Sequence, residues 1–351
     1  MKYHVPSLFN NMEWEPPSDW LNINTIDMHT EGEPLRVFIS GLPEIKGNTI
    51  LEKIQYFKTH FDHIRTGTMF EPRGHADMYG AIITEPVTND GDFGVFFLHN
   101  EGYSSMCGHA ILAITKLVIA TNMIDNNSND PIIQIDAPAG RIVATVKKVD
   151  GQITDISFIN VPSYVYLIDQ DIDVEGIGNI KFDIAYGGAY YAFVHIEQLG
   201  IDMKMTNHSK FIEYGKLIKN AIQKEYKITH PYDPGLGFLY GTIFYGNPLN
   251  PKNYSRNVCI FAEGELDRSP TGSGVSARAA LHYVKGEMKA AVPYTIESIL
   301  GTTMQVEILK TTQYGSYPAV IPKVSGTAFI TGRNEFVFEP SDPLKNGFIF
   351  R

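Results

Sequence analysis

The sequence predicts an α/β protein built from two related halves, and three observations carry that prediction. The chain has 351 residues, enough for two domains of ordinary size. An order of strands, helix, strands, small-residue turn, central helix and strands runs through it twice. Each pass sets a nucleophilic side chain before small residues and an apolar-periodic helix. These are Cys107 before Gly108-His109-Ala110 and Thr271 before Gly272-Ser273-Gly274.

In the first pass, Leu21 to Ile39 reads as a strand, a polar turn and a second strand. Residues Glu52 to His63 form a helix pattern with Ile54, Phe57 and Phe61 on one face. Ala81-Ile82-Ile83-Thr84 and Gly94 to His99 are strands by their β-branched and aromatic content. The first central helix, Ala110 to Ala120, follows Cys107. Asn126 to Pro131 is turn chemistry, and Ile132 to Ile135 with Arg141 to Val146 makes a hairpin around Pro138-Ala139-Gly140. The boundary between the halves falls near Ile159.

The second pass opens with strands near Asp183 to Tyr186 and Tyr191 to His195, then a helix from Ser209 to Glu225. Strands at Gly241 to Tyr245 and Asn257 to Phe261 precede the second central helix, Val275 to Val284. Gln305 to Leu309 and Gly326 to Ile330 complete the set.

Composition narrows the function. Apolar residues make up 43% and charged residues 19%, the profile of a folded globular chain. A net charge of −10 argues against nucleic acid or an anionic membrane as the main partner. Met1 to Leu8 has no apolar core of signal-peptide length, and no stretch has the uncharged length that crosses a bilayer. With only Cys107 and Cys259, a disulfide-braced secreted design is not expected, and the reducing cytoplasm is the expected location.

Cysteine 107 has two readings. A free cysteine is usually buried packing, but one before a helix start meets free N–H groups and a positive dipole end, which lower a thiol pKa. Cys259 sits between Val258 and Ile260 in a strand pattern and reads as core. His109 reads as a ligand, a base or a residue of a capped helix start. No paired motif supports zinc, so no metal is expected. Thr271-Gly272-Ser273-Gly274 lacks the lysine and spacing of a phosphate loop, and no dinucleotide fingerprint follows a strand. No cofactor is therefore expected. The bland reading of Thr271 is a helix N-cap, and the functional one adds a carboxylate held on the N–H groups of Gly272 and Ser273. Asp267 has an ordinary reading too, as a partner for Arg268 or Arg278.

Two segments, Ser105-Met106-Cys107-Gly108-His109-Ala110 and Asp267-Arg268-Ser269-Pro270-Thr271-Gly272, together resemble the proline racemase family. Its two catalytic cysteines sit in a Met-Cys-Gly-His and an Asp-Arg-Ser-Pro-Cys-Gly segment. The resemblance extends over Asp27 to Pro34, Glu71 to Gly80 and Tyr186 to Ala192. The first cysteine is present as Cys107, and the second is replaced by Thr271, as in the trans-3-hydroxy-L-proline dehydratase branch. The resemblance implies two halves, each a mixed sheet or barrel curled round a central helix as in diaminopimelate epimerase, with the active site in the cleft between them. Residues 1–160 would form the first half, 161–336 the second, and 337–351 would return to the first. It also implies substrate contacts from Gly108 and His109, a bond from Asp267 to the substrate ring nitrogen, and aromatic walls at Tyr79 and Phe261. The implied partner is a small cyclic imino acid, with a homodimer left open. His29, Glu31 and Glu33 form a polar cluster expected to line or support the cleft.

Chemistry separates the possible reactions. Racemisation without a cofactor needs an acid–base group on each face of Cα, and a threonine hydroxyl is too weak an acid to serve. One thiolate suffices to dehydrate trans-3-hydroxy-L-proline, whose Cα hydrogen and 3-hydroxyl share a ring face. The rival readings are a racemase or 4-hydroxyproline epimerase, a thiol hydrolase, and a non-catalytic imino-acid-binding protein.

Overall fold

The computed structural model describes residues 14–124 and 128–350. The segment Met1 to Leu8 and part of the turn at Asn126 to Pro131 lie outside the described residues. The first half begins with the hairpin β1 (Leu21–Thr30) and β2 (Glu33–Ser40), followed by helix α1 (Ile50–Met69). Strands β3 (Tyr79–Thr84), β4 (Phe93–His99) and β5 (Gly102–Ser104) lead into helix α2 (Gly108–Ala120). Then come β6 (Ile132–Ala137), β7 (Gly140–Val149) and β8 (Gln152–Ile159).

The second half repeats that order. Strands β9 (Ser163–Val174), β10 (Gly178–Tyr186) and β11 (Tyr190–His195) precede helix α3 (His208–Glu225). Next are β12 (Leu239–Gly246), β13 (Ser255–Phe261), β14 (Glu265–Asp267) and helix α4 (Gly272–Val284). Strands β15 (Pro293–Glu297), β16 (Thr303–Tyr314), β17 (Tyr317–Gly326) and β18 (Ala328–Phe338) end the fold.

Strand pairing shows why the repeat closes. In the first half β2 pairs parallel with β3 across α1, and β4 pairs parallel with β6 across α2. In the second, β11 pairs parallel with β12 across α3, and β13 with β15 across α4. Parallel neighbours require a crossover, and here each crossover is a helix. Strand β17 belongs to both halves: Lys323 to Gly326 pairs with β8, while Ala319 and Val320 pair with β9. All eighteen strands among the described residues thereby join one continuous sheet. Strand β18 lies antiparallel along β1 from Leu21↔Phe338 to Thr30↔Ala328, so the return to the first half begins at Ala328, earlier than 337. The break falls at Thr327, whose N–H and hydroxyl both donate to Glu31 Oε1, at 2.8 and 2.7 Å. In the sequence, Gly326 to Ile330 reads as one uninterrupted strand.

Alternation along the strands sorts the core into an inner and an outer layer. Val37, Ala81, Val95 and Phe97 face inward to α2, and their neighbours Phe38, Ile82, Phe96 and Leu98 face outward to α1. Helix α2 packs on β1, β2, β7, β8 and β18, and α4 on β9, β10, β16 and β17. A helix enclosed by a sheet must be apolar all round, and in α2 only Lys116 and Ala120 escape burial. Each fully buried Ile or Leu of α2 contributes about 1.5–3 kcal/mol. No helix among the described residues is long and apolar enough to cross a membrane.

Candidate active site

The two central helices point their N-termini at each other. A Cβ built on Gly108 would stand 2.5 Å from Gly272 Cα, and one on Gly272 would stand 2.7 Å from Gly108 Cα. The turn at Gly187-Gly188 fits between them for the same reason. A Cβ on Gly187 would overlap the Ser273 carbonyl, and one on Gly188 would come 2.5 Å from Met106 Cγ. Ser105 Oγ donates to Gly188 O at 2.8 Å, and Asn160 Nδ2 donates to Gly187 O at 2.8 Å, which fixes the turn.

The helix starts differ in how they are capped. Cys107, the N-cap of α2, has extended backbone, and its Sγ accepts the Ala110 N–H at 3.4 Å. Thr271, the N-cap of α4, has φ 69° and ψ 93°, and its side chain caps nothing. Its hydroxyl is buried and has no well-formed hydrogen bond among the described residues, although it lies close enough to Asp267 and Cys259 to favour their ionised forms. A β-branched residue at positive φ is rare and strained. Thr271 is held there by Ser269 Oγ, which accepts its N–H at 3.0 Å.

One small pocket gathers every residue that the sequence singles out for chemistry or binding. Cys107, Gly108, His109, Tyr79, Phe261, Asp267, Thr271, Gly272 and Ser273 all line it. Met106, Tyr191 and Tyr240 line it too, and sequence reasoning missed them. Tyr191 lies in the resembling segment Tyr186 to Ala192, whereas Tyr240 sits in a strand, where an aromatic residue reads as ordinary core, so no local signal marks it. The cavity between these side chains is about 20 Å³, room for a water molecule but not for a proline ring. A cyclic ligand therefore fits only once groups lining the cavity move.

Asp267 pairs with neither candidate arginine. Arg268 Nη1 bridges to Asp77 Oδ2 at 2.8 Å, and Arg278 is buried against Ser255, Asn257 and His282. Asp267 Oδ1 instead accepts the Ser269 N–H at 2.7 Å. The polar cluster near the first hairpin also divides. His29 Nδ1 accepts the Gly32 N–H at 3.2 Å and its ring packs on Phe329 with centroids 5.2 Å apart, while Glu31 ties that turn to Thr327 and, through its carbonyl, to Thr302. Glu33 reaches the site, where its Oε2 accepts the Arg268 N–H at 2.7 Å. Cys259 is fully buried in β13, directly opposite Asp267 in register.

Electrostatics at the first helix start run against the expectation of a readily formed thiolate. Burial pushes the Cys107 thiol well above its ordinary value. The Ala110 N–H and Tyr79 oppose this, while Asp267 and Glu33 add to it. Desolvation outweighs the helix start because the second half covers Cys107 completely. Burial likewise pushes Tyr79, Tyr191 and Tyr240 well up, so all three phenols are neutral donors. Burial holds His109 down at about 3, leaving a neutral imidazole whose Nδ1 lies 3.2 Å from Cys107 Sγ. Burial first, then the charge of Asp267, pushes Glu33 well above the carboxylate range, so Glu33 holds a proton beside Asp267. Burial also raises Asp267, opposed by the nearby Thr271 and Ser269 hydroxyls. The site thus sets neutral phenols and a neutral imidazole around the two helix starts. Among the described residues, no group of three or more His, Cys, Asp or Glu side chains is placed to hold a metal ion.

Comparison with known proteins agrees with this architecture. Residues 25–349 match the family described as Proline racemase. The trans-3-hydroxy-L-proline dehydratase of Colwellia psychrerythraea is 47% identical over 97% of this chain and 96% of its own length. The proline racemase of Clostridioides difficile is 39% identical over 94% of this chain and 98% of its own. Among solved structures, a hydroxyproline epimerase from Agrobacterium vitis with bound trans-4-hydroxy-L-proline superposes with a TM-score of 0.90 at 27% identity, covering 95% of this chain and 96% of that one. With a matching fold and similarity along nearly its whole length, the chain belongs to the proline racemase family.

Proposed function

We propose that the protein dehydrates trans-3-hydroxy-L-proline to Δ1-pyrroline-2-carboxylate in the cytoplasm, with Cys107 as its single acid–base group. One observation carries this reading: across the pocket Cys107 meets Thr271 and not a second thiol. The identity to a relative named as such a dehydratase supports it.

In this reading the substrate carboxylate sits between the helix starts, taking N–H groups of Gly108, His109, Gly272 and Ser273. The ring ammonium meets Asp267, whose raised pKa falls again as the cation arrives. Tyr79 and Phe261, with ring centroids 6.0 Å apart, wall the ring. Cys107 as thiolate removes the Cα proton, and the electron pair forms the Cα–C3 double bond as C3–O breaks. The Cys107 thiol then protonates the departing hydroxide, releasing water and restoring the thiolate. The enamine left behind tautomerises to the cyclic imine. Bonds from the helix starts to the carboxylate strengthen as charge moves onto it, which lowers the barrier.

Incubation with proline, 4-hydroxyproline and the 3-hydroxyproline isomers tests the reading. Pyrroline should form from trans-3-hydroxy-L-proline. Two-way racemisation of proline by the unmodified protein would refute the assignment.

A further inference from the structure

Three buried side-chain oxygens at or beside the pocket lack a hydrogen-bond partner among the described residues: Thr271 Oγ1, Glu33 Oε1 and the Tyr240 hydroxyl. A buried donor without an acceptor is costly and uncommon, and a ligand oxygen removes the cost. Of the three residues, Thr271 and Tyr240 line the pocket itself.

Tyr240 is placed with little freedom. Its ring stacks on Phe261 with centroids 5.4 Å apart, and meets Tyr191 at 5.8 Å and His99 at 6.2 Å edge-on. The residue is 5% exposed. The other two tyrosines of the pocket have already spent their hydroxyls, Tyr79 on Ser104 Oγ and Tyr191 on Ser273 Oγ at 2.8 Å. The Tyr240 hydroxyl, beside that of Tyr79, alone of the three lacks a well-formed hydrogen bond among the described residues.

We propose that Tyr240 donates a hydrogen bond to the 3-hydroxyl oxygen of the substrate as that oxygen leaves. The assignment rests on the dehydratase reading and names the group that makes the reaction a dehydration. In trans-3-hydroxy-L-proline the leaving oxygen lies on the face of the Cα hydrogen, the face of Cys107. Thr271 is the N-cap of the opposing helix and addresses the other face. Tyr240 and Tyr79 both pack on the Phe261 ring, at 5.4 and 6.0 Å, and Tyr79 meets the His109 ring at 4.8 Å beside Cys107, which groups the Tyr240 phenol with the thiol. The step balances without a second base. Cys107 takes the Cα proton and C3–O breaks toward an oxygen held by the phenol O–H. The thiol proton then completes the water while Tyr240 keeps its own. A fixed donor aimed at developing charge in a dry site is an efficient catalyst. It also selects against proline, which leaves the phenol unpartnered.

The test compares the full-length wild type with Tyr240→Phe, which removes only the oxygen. Pyrroline formation from trans-3-hydroxy-L-proline reads dehydration. Deuterium uptake at Cα of L-proline in D2O, by proton NMR, reads deprotonation by Cys107 without a leaving group. Dehydration kcat should fall roughly a hundredfold or more, while exchange on proline stays within about threefold of wild type. Dehydration that survives the substitution overturns the assignment, and so does an equal loss of both activities. Failure of Tyr240→Phe to fold, read by circular dichroism, would mean that the hydroxyl has a structural partner, and overturns it as well. A wild type that neither dehydrates the substrate nor exchanges proline refutes the underlying reading, and the role of Tyr240 falls with it.

Discussion

Gly108 and Gly272 meet backbone to backbone: a Cβ on the first would lie 2.5 Å from Cα of the second. Two positive helix ends in contact repel, and the natural remedy is an anion shared between them. The contact also explains why each nucleophile-bearing segment continues with glycine.

Gly272→Ala should therefore wedge the helix starts apart. The added methyl meets Gly108 Cα at 2.7 Å, and backbone cannot yield as a side chain can. Overpacking of this kind costs about 1–3 kcal/mol, read as a lower thermal midpoint. Misplacing the reacting groups should cost roughly a hundredfold in kcat/KM. A fully active Gly272→Ala would mean that the site works with the helices apart.

Cys107→Ser should lower dehydration about a thousandfold or more while leaving the fold intact. Cys259→Ala removes a fully buried thiol and should cost about 1–2 kcal/mol of stability with little change in chemistry. The pH profile distinguishes the two thiols further. Burial raises Cys107, so the thiolate fraction grows tenfold per pH unit below that raised value. Activity should keep climbing with pH through about 8.5, where an ordinary thiol ionises. A plateau already at neutral pH would place the base elsewhere or show that substrate binding restores a low thiol pKa.

The helix starts, the nucleophile pair and most strands are legible in the sequence because each depends on local pattern. Ile54, Phe57 and Phe61, for example, share the apolar face that marks α1, and all three pack in the outer layer. Three things are not legible, all for the same reason. The sharing of β17 between halves, the placement of Tyr240 and Tyr191 in the pocket, and the upward shift of Cys107 are set by residues far away in sequence. A helix start alone argues for a low thiol pKa, and only the second half closing over it reverses the sign.

Glu33→Gln should stabilise the protein at neutral pH. Glu33 is fully buried, its pKa is raised, and Oε1 has no partner among the described residues. Below the unfolded pKa of about 4.3, both states carry the proton and no penalty exists. Above it the unfolded state ionises while the folded state resists, so wild-type stability falls as pH rises. Glutamine cannot ionise and keeps the acceptor for the Arg268 N–H. The gain should be about 1–2 kcal/mol near pH 7 and vanish near pH 4 in denaturant titrations. A glutamine variant less stable at every pH would show that Glu33 is ionised and paired in the folded protein.

Thr271→Cys tests what separates this site from a two-thiol one. Thr271 stands at φ 69° with its hydroxyl unpartnered among the described residues. Replacing it breaks no well-formed hydrogen bond among the described residues and removes a β-branch from a strained backbone, so the fold should be kept. The new thiol would face Cys107 across the pocket, on the opposite side of Cα. If Cys107 is the single base, wild type can return a proton only to the face it came from, whereas the variant has a donor on each face. It should acquire slow but measurable racemisation of L-proline, read by chiral chromatography, where wild type shows only exchange with retention. The new activity should stay weak, because the surrounding groups are not set for a second acid–base residue. Burial also works against ionising a thiol here, as it does for the neighbouring Cys259. The gained activity should therefore rise with pH and disappear in the Cys107→Ser, Thr271→Cys double variant. Racemisation that persists in that double variant would show that a group other than Cys107 moves the Cα proton, and the one-thiol mechanism would fail.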